Sequence, residues 1–229
     1  MDASSAAANN AAWCDLVCRT SGLPTRTTDG LWSTPTRSPV AYPDAVALRP
    51  GLSADSVLAA IDDSEGASVK DSFADLDLAR HRYAALFDAE WLVRRPTPPV
   101  TPALPWRAVD AATFPRWLAA HGSTSIRAGV LDDPGVRLVL AADRGGPVAV
   151  AALNRSGAGP RTVVGVSNVR VRRGDPAVVW EDLPAVARQQ LGAHPLVGYE
   201  SGADLAVAVA AGFEPVGPLR VWVRDHPRS

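Results

Sequence analysis

Tyr199 and Glu200, just after the short apolar run that ends in Gly198, are side chains of types that can donate or accept a proton. The ordinary alternatives are a strand-end aromatic for Tyr199 and, for Glu200, a solvated carboxylate or a charge set against a helix N-terminus. Upstream, Ser167 and Asn168 interrupt an otherwise apolar, β-branched run from Val163 to Val171, and Val169 follows them. The run leads into Arg172-Arg173-Gly174, two guanidinium groups able to pair with phosphate. Asp175 and Pro176 oppose that use: the first adds a negative charge, and the second lacks an amide donor.

Other chemistries find less support. His81, His121, His194 and His226 are scattered, and none stands at metal-ligand spacing from another ligand type. No nucleophile elbow, P-loop or Gly-x-Gly-x-x-Gly follows a strand pattern. Cys14 and Cys18 sit four apart in a helical pattern, which suits buried helix-face thiols better than a disulfide or a metal site. Lys70 is the only lysine, and a lone lysine is expected at the surface. Trp106, Trp117 and Trp180 fall on apolar faces and are expected in the core.

The chain that must position these groups is 229 residues long, enough for one large domain or two small ones. Hydrophobic residues at 47% and charged residues at 21% describe a globular protein, not a disordered one. A net charge of −1 argues against bulk attraction to nucleic acid or to an anionic membrane. No apolar run reaches the roughly 20 residues of a membrane span. The first ten residues lack a basic and apolar leader pattern, so a cytoplasmic location is expected.

Residues 10–20 read as a short amphipathic helix, and 22–43 as an irregular segment pinned by Trp32 and Tyr42. A strand at 44–48, a helix at 53–61 capped by Ser53, a strand at 67–73, a helix at 74–81 and a strand at 83–93 follow. Prolines make 96–105 a semi-rigid linker. Beyond it come a strand at 106–109, a helix at 111–120, a hairpin turning at Asp143-Arg-Gly-Gly146, and a long strand at 162–171. A helix carrying Trp180, Leu183, Val186 and Leu191 leads to the closing strand–helix–strand, where Gly212 stands at a helix C-terminus.

That order, with the ending Asp204-Leu205 and then Ala210-Ala-Gly-Phe-Glu-Pro-Val-Gly-Pro-Leu-Arg-Val-Trp222, resembles the GNAT acyltransferase superfamily over 106–225. The resemblance implies an α/β (α+β) fold with a mixed, mostly antiparallel central sheet flanked by helices. Its fourth and fifth strands splay into a cleft for acetyl-CoA or another acyl-CoA. It implies N-acyl transfer to a small-molecule or peptide amine. Ser167, Asn168, Val169 and nearby backbone would orient the thioester at a bulge; Arg172, Arg173 and Gly174 would hold phosphates; Tyr199 or Glu200 would handle the proton. The chain departs from the family in two places. Its phosphate loop keeps one glycine, and the position of the family's tyrosine acid is Ala208. A non-catalytic relative that binds a small ligand or a protein partner is the alternative, and a homodimer is compatible with either.

The first half also echoes the second. Leu48-Arg-Pro-Gly51 matches Val171-Arg-Arg-Gly174, Ser72-Phe-Ala-Asp-Leu76 matches Ser201-Gly-Ala-Asp-Leu205, and Tyr83 with Trp91 matches Phe213 with Trp222. The expected organisation is an N-terminal helix and wrapping segment (1–43), a truncated GNAT-like half (44–95), a linker (96–105) and a complete copy (106–225). Lys70, Asp71, Ser72, Glu90 and Trp91 would then edge the cleft of the first copy. Tandem relatives of this kind add acyl or aminoacyl transfer to a larger acceptor as a third reading.

Overall fold

The computed structural model describes residues 1–96 and 98–224; Thr97, in the expected linker, and 225–229, which include the last residue of the expected second copy, lie outside that part. Asp2 caps the first helix, α1 (Ala3–Thr20), its carboxylate accepting the Ser5 N–H at 3.0 Å. The sequence pattern starts this helix at residue 10, whereas it starts at Ala3. The added turns are mostly alanine, which favours helix without supplying an apolar stripe to read. Small Ala6, Ala7 and Ala11 are buried and let α1 lie close against the sheet.

Segment 22–43, expected to be irregular, contains a hairpin: β1 (Arg26–Thr28) and β2 (Leu31–Ser33). Its two-residue turn, Asp29-Gly30, has φ of 52° and 81°, the left-handed pair of a tight hairpin turn. Then come β3 (Ala45–Ala47), α2 (Ala54–Leu58) capped by Ser53, and β4 (Ser68–Asp71). The helix expected at 74–81 is a single 3-10 turn, Ala79–His81. The cause is Asp71, whose carboxylate accepts the N–H groups of Phe73, Asp75 and Leu76 and wraps the chain around itself.

The long strand β5 (Tyr83–Arg94) follows, and the Pro-rich stretch then leads to β6 (Trp106–Ala108). That stretch is fastened down, because buried Asp182 accepts the N–H groups of Ala103 and Leu104 and the indole N–H of Trp106. After α3 (Phe114–His121), a meander of β7 (Val136–Asp143), β8 (Gly146–Ser156) and β9 (Val163–Val171) reaches α4 (Pro176–Leu191). The chain ends on β10 (Leu196–Glu200), α5 (Gly202–Ala210) and β11 (Glu214–Arg224). Gly212 closes α5 at φ 86°, with Gly212 N–H bonded to the Val209 carbonyl and Phe213 N–H to that of Ala208.

All eleven strands join one sheet in the order β1-β2-β3-β4-β11-β5-β10-β9-β8-β7-β6. The order mirrors itself about the antiparallel β11–β5 pair. Outward from β11 run β4, β3, β2 and β1; outward from β5 run β10, β9, β8 and β7. In each series the first step is antiparallel, the second parallel and the next two antiparallel. β5 therefore lies beside β10, and β11 beside β4. Helices α1 and α3 cover one face, where Trp13 and Trp117 are buried; α4 and α5 cover the other, around Trp180 and Phe213.

The tightest approach of α1 to the sheet is at Gly165 of β9. Asn9 donates to the Asn154 carbonyl at 2.9 Å and to Ser156 Oγ at 2.8 Å, and Asn154 donates back to the Asn9 carbonyl at 3.2 Å. A Cβ at residue 165 would overlap the side-chain oxygens of both asparagines. Gly165→Ala should cost roughly 1–3 kcal/mol through overpacking. Urea denaturation would read this as a lower midpoint with an unchanged slope, and an unchanged midpoint would remove Gly165 as the docking constraint.

Candidate active site

Strands β9 and β10 are parallel neighbours for only two residue pairs, Leu196 with Val164 and Val197 with Gly165. They part from there for two local reasons. A Cβ at residue 198 would stand 2.7 Å from the Val166 carbonyl oxygen, so Gly198 is what lets the strands lie so close at the hinge. On β9, Ser167 faces Ala152 and Arg170 faces Val150, so Asn168 and Val169 share the single residue Ala151. Asn168 takes up that bulge at φ 55°, and its amide donates to Ser167 Oγ at 2.9 Å.

A cavity of about 410 Å³ opens where the strands separate. Its walls come from α1, the 40–43 segment, the C-terminal end of α3, the bulge of β9 and the end of β10. Side chains alternate along a strand. Val197 and Tyr199 pack on the α1 side and Leu196 on the α4 side, which places Glu200 on the α4 side as well. The cavity is therefore lined from both faces of the sheet where β9 and β10 separate, by Tyr199 on the α1 side and Glu200 on the α4 side. Of the residues singled out in the sequence, Tyr199, Glu200, Ser167, Asn168 and Val169 meet here.

Burial pushes the Glu200 carboxyl up to about 8; the charge of Asp204 adds to the shift and Arg170 works against it. Glu200 thus carries its proton at neutral pH and can yield or accept one just above it. His121, at the end of α3, is pushed down to about 4 by burial and by Arg170. Its neutral ring stacks on Trp117, with centroids 4.9 Å apart, and its buried Nδ1 has no hydrogen-bond partner. The Cys14 thiol is raised to about 11, chiefly by burial, and is no nucleophile at neutral pH.

Lys70 corrects the expectation of a surface residue: it is 3% exposed and lines the cavity from β4. Its Nζ donates to Asn10 Oδ1 at 2.8 Å and lies 4.0 Å from the centroid of the Tyr199 ring. Tyr199 in turn meets Trp91 edge to face at 5.5 Å. Composition could not place Lys70. The one hint was the echo, which aligns Ser72 with Ser201 and so sets Lys70 on Tyr199.

Arg172, Arg173 and Gly174 lie outside the cavity wall, past the end of β9. The Arg173 guanidinium is paired with Asp143 and donates to the carbonyls of Gly146 and Pro147 at 2.8 and 3.2 Å. Asp175 caps α4, accepting the Ala177 N–H at 2.9 Å, and Pro176 opens the helix without a donor. Ala208 is fully buried against the α4 side of the core, away from the cavity wall. Among the described residues, no group of three His, Cys, Asp or Glu could hold a metal ion, and no helix is long and apolar enough to cross a membrane.

A mostly antiparallel sheet that parts between a bulged strand and its parallel neighbour, with a helix following each, is the architecture of the GNAT fold implied by the sequence. Solved structures agree. A GCN5-related N-acetyltransferase from Kribbella flavida superposes with a TM-score of 0.65 over 97% of this chain and 96% of its own, at 18% identity. A putative GNAT-family acetyltransferase from Novosphingobium aromaticivorans gives 0.60 over 97% and 99%, at 14% identity. A functionally unknown conserved protein from Staphylococcus epidermidis gives 0.54 over 72% and 74%, at 9% identity. No protein-family model and no curated protein matches the sequence. The chain has the GNAT fold.

The two shifted groups set opposite pH slopes. Folded Glu200 holds a proton that the unfolded chain has lost between pH 4.5 and about 8, so its contribution falls as pH rises through that window. Folded His121 lacks a proton that the unfolded chain gains between pH 6.5 and about 4, so its contribution falls on acidification. Glu200→Gln should flatten the alkaline loss of Tm, and His121→Phe the acid loss. Parallel pH–Tm curves for wild type and variant would remove the corresponding shift.

Proposed function

We propose that this chain is an N-acyltransferase, with an acyl thioester entering from the α4 and α5 face and an amine from the α1 and α3 face. One observation carries the reading: the cavity where bulged β9 and β10 separate is lined from both faces of the sheet, with a carboxyl of raised pKa among its walls. A CoA thioester supplies an activated acyl carbonyl when bound. The thioester end fits these residues, because the bulge takes the Asn168 and Val169 backbone off the β8 ladder and leaves hydrogen-bonding groups to align a carbonyl.

The diphosphate end does not fit. The Ala177 amide is taken by Asp175, the helix opens on proline, and Arg173 is held by Asp143. In the transfer a C–N bond forms and a C–S bond breaks. Ionised Glu200 takes the proton of the attacking nitrogen and returns it towards the departing sulfur; the bulge fixes the angle of approach. Tyr199 walls the amine side. The occupied α4 N-terminus favours a second reading, a non-catalytic binder that uses the same cavity.

The mirrored strand order also supports the reading of 44–95 as a truncated copy of the second half. Equivalent residues near the axis of such a pair should touch, and Lys70 lies over the ring of Tyr199, the residue it aligns with. Superposing β3–β4–β5 on β9–β10–β11 tests it; strands that fail to follow one path would end the idea. The acceptor in this proposal is a small-molecule or peptide amine.

Thiol release from acetyl-CoA, followed against pH, tests the enzyme reading. The rate constant kcat/KM should rise along a limb with an apparent pKa near 8 and fall about 10²- to 10⁴-fold in Glu200→Gln. Calorimetry with acetyl-CoA belongs beside it. No heat at millimolar ligand, together with no thiol release, would leave the binder.

A further inference from the structure

The cavity holds an ammonium group that has no ion-pair partner among the described residues. Lys70 is 97% removed from solvent, and among the described residues no carboxylate lies within 4.0 Å of its Nζ. Burying an ammonium group without a counter-charge is strongly unfavourable, so such groups are normally paired. The Asn10 carbonyl oxygen uses one of its three protons, and the Tyr199 ring face offers a weaker attraction.

The nearby carboxylates are committed elsewhere. Asp71, next to Lys70 in sequence, points to the other side of the sheet, where three backbone amides occupy it. Asp15 holds Arg19, Thr25 and Trp32. Asp44 holds the N–H groups of Ser38 and Ser68 and pairs with Arg37. Glu200 and Asp204 lie together with Arg170 among them.

We propose that Lys70 is a carboxylate-binding residue and that the amine taken by this cavity carries a carboxylate, as a free amino acid does. The site is built for it: a cation held by Asn10, flat aromatic walls from Tyr199 and Trp91, and the proton-handling end at Glu200 in the same 410 Å³ space. A single lysine in a cavity of that size presents one point charge, which matches a carboxylate better than a doubly charged phosphate. The assignment rests on reading the cavity as the acceptor's side, but its test needs no acyl donor.

Calorimetry on the full chain compares the common free L-amino acids with their carboxamides and with inorganic phosphate. At least one acid should bind about tenfold more tightly than its own amide, and that ratio should shrink below about threefold in Lys70→Met. Methionine keeps most of the length and removes the charge. Acids and amides that bind alike, or no heat from any acid, overturn the proposal, as does phosphate binding more tightly than every acid or an acid preference that survives in Lys70→Met. The wild-type comparison decides even where the variant does not fold. Acid preference without thiol release would keep the carboxylate site and remove acyl transfer; thiol release at equal rates with acids and amides would do the reverse.

Discussion

Two adjacent strands that leave their ladder part-way must give up backbone hydrogen bonds, and a fold permits this only where something else forces the separation. Here β9 and β10 keep two residue pairs and then diverge. The lower end is clamped by contacts that only glycine admits: Gly165 under the paired amides of Asn9 and Asn154, and Gly198 against the Val166 carbonyl. The upper end is pushed aside by the two-for-one bulge at Asn168 and Val169. Clamp and bulge together make a gap with fixed edges, and α1 can lie across it because Ala6, Ala7 and Ala11 keep part of its inward face small.

That gap explains the electrostatics of its walls. A carboxyl, an imidazole, a thiol and an ammonium are drawn into one poorly hydrated space, and the first three shift towards their neutral forms. Lys70 is held instead by an amide oxygen and a ring face. Groups that favour neutrality beside one fixed cation are what the proposed proton transfer and carboxylate binding would use. Either feature alone would be unremarkable in a protein core; their meeting where β9 and β10 separate is what gives the arrangement chemical meaning.

Much of this was legible in the sequence. The meander, the interrupted run at Ser167 and Asn168, and the Gly212-Phe213 helix end all follow from local patterns, and the structure has them. The misses have local causes too. Asp29-Gly30 was a hairpin signal lost among prolines and threonines. The helix expected at 74–81 yielded to Asp71, whose carboxylate competes for backbone N–H groups in a way that residue counts cannot show. Lys70 was misplaced because its burial depends on β11 and β5 lying between β4 and β10, a pairing of strands far apart in the chain. Spacing along the sequence carries no information about which distant strands will lie side by side.

Past the end of β9, the chain's own carboxylates engage the groups nearest the start of α4. A helix N-terminus attracts whichever negative group is nearest, and at α4 that group is Asp175, tethered one residue before the helix at very high effective concentration. Arg173 is likewise engaged by Asp143 across the β7–β8 turn. A donor anchored through this end would have to displace both carboxylates, whereas a donor held by its thioester and acyl portions would disturb neither. In the proposed transfer, the free energy of donor binding would therefore come from the bulge and the space beside it, where the reacting atoms would be.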